Sequence, residues 1–297
     1  MKNKVKMTEF VVHGIFLILG LITVAAVLLI SVYLIISGIP AIKEIGFFEF
    51  MFGKEWTPTV SEPKFGILPF ILTSVYGTAG AILLGTPIGF FTAVCLAKIA
   101  SPKVKRIVNA AVSLLAGIPS VVYGLIGMLI LVPAIREFFE IPDGASLLAA
   151  IIVLSVMVLP SIIKVSLTAL EAVPREYEEG SLALGATPVE TYFRVSVPAA
   201  KSGIAAAIVL GVGRAIGEAM AVIMVSGNVA NMPSLFESVR FLTTAVSSEM
   251  SYVTAGSLHQ QALFSIALVL FVFIMLINAT LNFFLKRQKE LPVYFKE

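Results

Sequence analysis

The chain has 297 residues, of which 58% are hydrophobic and only 13% charged, and its mean hydropathy of +1.00 excludes an ordinary soluble domain. A net charge of +3 and a pI near 8.9, without any basic patch interleaved with aromatics, exclude a nucleic-acid partner; loops facing anionic membrane lipid account for the excess cations. The single cysteine, Cys95, sits inside an apolar run, which excludes a disulfide framework and a cysteine-based metal site.

The first uncharged stretch, residues 10–42, is too long for the core of a signal peptide and reads as an uncleaved span. Further stretches cover 65–97, 107–135, 144–163 and 250–285, each reaching the roughly 20 residues that cross a bilayer core as helix. Another, 199–227, is long enough but is interrupted by Arg214 and Glu218. The expectation is an all-α polytopic membrane protein of about six spans, with 1–297 forming one transmembrane domain. An even number puts both termini on one side. Lys and Arg concentrate at 2–6, 98–106, 175–201 and 286–296, against Lys43, Lys54, Lys64, Arg136 and Arg240 in the other loops, so the termini and the 174–198 loop are assigned to the cytoplasm of a prokaryotic plasma membrane. Pro69, Pro87, Pro119, Pro133 and Pro160 interrupt the spans, as is tolerated where helices line a cavity or move. The pairs Gly85 with Gly89 and Gly213 with Gly217 stand four apart and predict close backbone approach on those faces.

The most informative segment is polar and lies between spans. Pro174 suits a first helical turn and Gly185 a left-handed C-cap, so a short helix is expected from Pro174 to Leu184. Thr187, Pro188 and Glu190 then read as cap, first position and capping-box partner of a second helix. Tyr177, Ser181, Leu182 and Leu184 give the first helix a small, partly apolar face that suits a groove on a soluble partner.

The spacing Glu179, Gly180, Ser181, Gly185, Val195, Val197, Pro198 resembles the EAA loop of bacterial ABC-importer permeases, with Gly180 and Ser181 standing where the family has two alanines. EWTP at 55–58, FGILPFILTS at 65–74, LLAGIPSVVYGLIG at 114–127 and GVGRAIGEAMAV at 211–222 resemble the PstC-type permeases of phosphate importers. That resemblance implies a type I importer permease architecture. It also implies cytoplasmic ATPase subunits docked on Glu179, Gly180, Ser181, Leu182 and Gly185, a sister permease of the PstA type, and an extracytoplasmic phosphate-binding protein.

Arg214 and Glu218 are four apart and are expected on one helix face at membrane depth, where a lone arginine costs about 2.5–3.5 kcal/mol. They read either as an internal ion pair or as part of an anion path; the resemblance places them in the family's characteristic motif. Ser120, Tyr123 and Asn228 are weaker path candidates, each equally explained by a packing hydrogen bond. His13 and His259 have no Cys, Asp or second His at ligand spacing, so no metal or other cofactor is expected. No Gly-x-x-x-x-Gly-Lys-Ser/Thr loop occurs, so the chain is not read as an ATPase itself. A permease for another tetrahedral oxyanion and an ion-coupled secondary transporter are the alternatives, and the second leaves the 174–198 spacing unexplained.

Overall fold

The computed structural model describes residues 2–289. In chain order the helices are α1 (Lys2–Ile45), α2 (Phe47–Phe52), α3 (Leu68–Lys98), α4 (Pro102–Gly117), α5 (Ser120–Phe138, with a π-type turn at Gly127–Leu131) and α6 (Leu147–Glu171). After these come α7 (Arg175–Ala183), α8 (Pro188–Ala199), α9 (Lys201–Ile216), α10 (Met220–Val225), α11 (Leu242–Glu249) and α12 (Leu258–Lys289). A two-stranded antiparallel hairpin, β1 (Trp56–Thr57) with β2 (Lys64–Phe65), precedes α3, with Trp56 opposite Phe65. Among the described residues, α1, α3, α5, α6 and α12 are long and apolar enough to cross a membrane, and α8 with α9, bent by 70°, adds a sixth span if counted as one.

Two apolar stretches of the sequence are not continuous helices. The stretch 107–135 breaks at Ile118, whose backbone is extended (φ −70°, ψ 127°) ahead of Pro119. Proline disfavours the helical conformation of the residue before it. The amphipathic α4 therefore stops at Gly117 and the membrane-length helix begins at Ser120. The stretch 199–227 breaks at Gly217 to Ala219, between α9 and α10.

The core forms around α6, whose buried face includes Ile151, Leu154, Met157, Val158, Ile162 and Leu170. Its main neighbour is α3. A Cβ on Gly85 would stand 2.8 Å from Val158 Cγ2 and 3.1 Å from the Ser155 carbonyl, and one on Gly89 would stand 2.7 Å from Ile162 Cγ2. The expected close approach on that face is therefore present, and glycine is what permits it. At Gly213 no atom lies within 4 Å of an added Cβ, and at Gly217 there is only the chain's own Gly213 carbonyl at 3.4 Å, so the second glycine pair does not pack helices. The first helix stands apart. Its side chains from Ile15 to Ile36 are mostly exposed, as lipid-facing residues would be, and it meets α12 where the Ser265 hydroxyl donates to the Gly38 carbonyl and Tyr33 lies edge-on to Phe264.

The end of the bundle next to the hairpin is tied by one carboxylate. Glu249 accepts hydrogen bonds from Trp56 Nε1 (3.1 Å) and from the Arg240 guanidinium, and its Oε2 lies 2.7 Å from His259 Nε2. Arg240 also donates to the Asn228 carbonyl at 2.8 Å and lies over the Phe70 ring. The indole of Trp56 is buried against Phe65 and Phe70, so Trp56 is a core residue of this end. His259 joins the same cluster, while His13 is exposed on α1.

Candidate coupling segment and intramembrane polar site

The helix–turn–helix at 175–199 is built by local chemistry that the sequence announces. Pro174 is the N-cap of α7 with an extended backbone, so the helix begins one residue later than expected, at Arg175. Gly185 has φ +87°, the left-handed conformation that glycine adopts without steric cost. The Ala186 N–H reaches back to the Ser181 carbonyl (3.3 Å) and the Gly185 N–H to the Leu182 carbonyl (3.0 Å), the paired pattern of a Schellman cap. Two residues on, Thr187 Oγ1 accepts from the Glu190 N–H (3.3 Å) and a Glu190 carboxylate oxygen accepts from the Thr187 N–H (3.0 Å), completing the capping box. Hydrogen bonds from the Thr187 backbone and hydroxyl hold the Glu190 carboxyl below the usual carboxylate range. The Ser181 and Thr191 hydroxyls, 2.9 Å apart, join the two helices across the turn.

No residue of α7 is buried, and Leu184 just beyond it is 90% exposed, with Tyr177, Leu182 and Val189 also open. An apolar side chain so fully presented on a polar segment offers a knob to a partner's groove. Glu179 and Gly180 lie on the same exposed helix.

Glu178, beside the motif glutamate, makes the long-range contacts. Its carboxylate takes a hydrogen bond from Lys98 Nζ, at the end of α3, and another from the Ser196 hydroxyl of α8 at 2.7 Å. Lys98 also donates to the Leu170 carbonyl of α6 (3.3 Å). Burial pushes the Glu178 carboxyl up, but the bonds from Lys98 and Ser196 outweigh it and hold it below the usual range. Nothing in the sequence singles out Glu178 over its neighbours, because its partner Lys98 is 80 positions away.

Arg214 occupies the last turn of α9, about 20 Å along the helix axis from Lys201. It lines a cavity of about 590 Å³ together with Ser161 of α6, Leu210 and Gly213 of α9, and Asn278 of α12. Among the described residues Arg214 has no hydrogen bond and no ion pair, although it lies within electrostatic reach of Tyr123. The expectation that Arg214 and Glu218 share a helix face is therefore corrected. The helix ends at Ile216, and the Glu218 carboxylate instead accepts the Ala221 N–H of α10 (3.0 Å) while the Glu218 carbonyl accepts from the Thr243 hydroxyl (2.8 Å). Side chains thus occupy backbone groups freed by the break, as interrupted helices in membranes require.

The other path candidates lie apart from this cavity, Asn228 beside Trp56 and Arg240 at the hairpin end. The buried Tyr123 donates to the Leu115 carbonyl (2.7 Å) and so bridges the break between α4 and α5; the half-buried Ser120 opens α5. Ser161, which follows Pro160 in α6, and Asn278 of α12 do share the cavity with Arg214, and only their polarity in long apolar helices could have flagged them as path residues.

Membrane-length helices around a central glycine-packed pair, an exposed helix–turn–helix at one end and an arginine before a break in the following span together define a type I ABC-importer permease fold. Solved structures share it: the inward-facing MetNI methionine ABC transporter matches with a TM-score of 0.60 at 22% identity, covering 75% of this chain and 95% of that one. A bacterial alginate ABC transporter, crystallised with a periplasmic protein bound to alginate pentasaccharide, matches with a TM-score of 0.56 at 16% identity over 90% and 94% of the chains. The chain belongs to the family of binding-protein-dependent transport system inner membrane components, whose profile matches residues 85–290. It is 42% identical over 266 residues to the probable ABC transporter permease protein YqgH of Bacillus subtilis, covering 87% of this chain and 86% of that protein. It is 33% identical over 280 residues to the phosphate transport system permease protein PstC of Haemophilus influenzae, again covering 87% and 86%. The protein is thus a multi-pass ABC-importer permease subunit of the inner membrane.

Proposed function

We propose that the chain, a single permease domain over 1–297, is a membrane-spanning subunit of an ATP-driven phosphate importer. It works beside a sister permease of the PstA type, receives the anion from an extracytoplasmic phosphate-binding protein, and docks cytoplasmic ATPase subunits on the 174–198 segment, with both termini in the cytoplasm. The observation that carries the anion reading is Arg214, an arginine in a membrane-depth cavity with no carboxylate paired to it among the described residues. A phosphate leaving water loses its hydration, and a guanidinium offers planar, charge-assisted donors to tetrahedral oxygens. Ser161 and Asn278 add neutral hydrogen-bonding groups to the same cavity without cancelling its charge. The relatives named as phosphate permeases support the choice of anion.

The energy reaches the cavity mechanically. Nucleotide binding draws the ATPase subunits together, Glu179, Gly180, Ser181, Leu182 and Gly185 travel with them, and the spans rock between two open states.

The test is reconstitution in vesicles with the sister permease, the ATPase and the binding protein, following radiolabelled phosphate. Wild type takes up phosphate only with ATP and the ATPase present. Arg214→Gln inserts and binds the ATPase but does not move phosphate. Uptake driven by an ion gradient through this chain alone, or undiminished uptake by an assembled Arg214→Gln complex, refutes the reading.

A further inference from the structure

We propose that Glu178 is a positioning residue that welds α7 to the inner ends of α3 and α6, so that the docking helix and these two spans move as one body through the transport cycle. The inference rests on the reading of 174–198 as the ATPase-docking segment and adds how force leaves it.

A helix that transmits force must be anchored, and α7 buries no side chain. Apolar packing therefore does not hold it. What holds it is polar: the Ser181–Thr191 contact reaches α8, and the Glu178 carboxylate reaches both α8, through Ser196, and α3, through Lys98. The Lys98 side chain is only 10% exposed and Ser196 is fully buried, so both donors meet Glu178 in a partly dehydrated site where a charge pair is stronger than on an open surface. Lys98 completes the joint by donating to the Leu170 carbonyl. One node thus gathers α3, α6, α7 and α8. The two spans it grips are the pair packed through Gly85 and Gly89, and Ile162 of α6 touches both Gly89 and, on the other side, Gly211 of α9. A push on α7 is delivered to the closely packed α3–α6 pair and through it to the helix that carries Arg214.

The test uses the reconstituted complex on a Cys95→Ser background and reads phosphate transported per ATP hydrolysed, alongside ATPase co-purification. Glu178→Gln and Lys98→Gln are expected to keep the ATPase bound and hydrolysing while transport per ATP falls at least about fivefold, the low end of coupling between distant sites. The charge-exchanged pair Lys98→Glu with Glu178→Lys is expected to recover most of that loss. Because single charge variants can fail to insert, Lys98→Cys with Glu178→Cys provides the second arm: bridged by a short bis-methanethiosulfonate cross-linker that spans the space left by the two long side chains, the joint stays closed, and transport is expected to continue at the uncross-linked protein's own rate or better. Transport that stops on cross-linking and returns on reduction means the joint must open and overturns the proposal, as does a wild-type transport ratio in both Gln variants. Failure of the docking reading is distinguished because it leaves the ATPase bound when Leu184 and Gly185 are replaced.

Discussion

Replacing Gly185 isolates backbone strain from packing, because an added Cβ there meets no atom within 4 Å. The whole cost of a side chain is then the left-handed φ of +87°, about 1–2 kcal/mol for an ordinary L-residue and more for a β-branched one. If the chain keeps the turn, that cost falls on the docking-competent arrangement. If it relaxes, it loses the Gly185-to-Leu182 and Ala186-to-Ser181 bonds and the relative setting of α7 and α8. Either way the population able to dock falls by a factor of roughly 5–30, the equivalent of one to two kcal/mol. The expected order of ATPase affinity is Gly185 wild type, then Gly185→Asn, whose short polar side chain tolerates this conformation, then Gly185→Ala, then Gly185→Val. Binding of purified ATPase to the permease in nanodiscs, measured across the series, reads it directly. Wild-type affinity in the valine variant, or an asparagine variant weaker than the valine one, refutes the reasoning, since strain alone cannot produce either.

At the break after α9, Glu218→Ala strands the Ala221 N–H while Glu218→Gln retains an acceptor, so thermal unfolding in detergent should show alanine less stable by about 1–3 kcal/mol and glutamine close to wild type; equal melting of the two variants contradicts the cap. Gly85→Leu should cost about 1–3 kcal/mol by overpacking against Val158, whereas Gly213→Ala should leave stability unchanged, a contrast read in the same melts. The depressed Glu178 carboxyl contributes stability that is complete above the ordinary carboxylate value of 4.5 and is lost as pH falls through its lower folded value. Exchange protection of the 175–183 amides, corrected for intrinsic rates, should therefore hold from neutrality down to that ordinary value and fade only below it, and Glu178→Gln should shrink the pH dependence, the remainder belonging to the Glu190 capping box.

What the sequence makes legible follows from the range of the interactions involved. The caps at Gly185 and Thr187 are local, each partner lying within five residues, and spacing alone reveals them. Span existence is equally legible, because hydropathy is summed over many residues. Breaks are harder to place: the 107–135 stretch is uncharged throughout, and of the five prolines noted in the spans only Pro119, acting on Ile118, ends a helix. The four-residue spacing of Arg214 and Glu218 misleads for a related reason. Periodicity presumes an unbroken helix, and here the Glu218 carboxylate and Thr243, from a distant turn of chain, take backbone groups at the break. The Glu178 joint and the cavity shared by Ser161, Arg214 and Asn278 are tertiary events between residues far apart in the chain, and no local pattern encodes them.

The carboxylate shared by three side chains at the hairpin end has an evolutionary consequence. Glu249 satisfies the indole of Trp56 and the guanidinium of Arg240 and lies against the imidazole of His259, which come from the hairpin, the approach to α11 and the start of the last span. Loss of the acceptor strands several donors at once, whereas loss of one donor leaves the others in place. Drift at these four positions is therefore directional: a lineage can shed a donor and survive, but it can shed Glu249 only after the cation at 240 has gone, so sequences with Arg240 and no acid at 249 should be the combination that natural variation avoids.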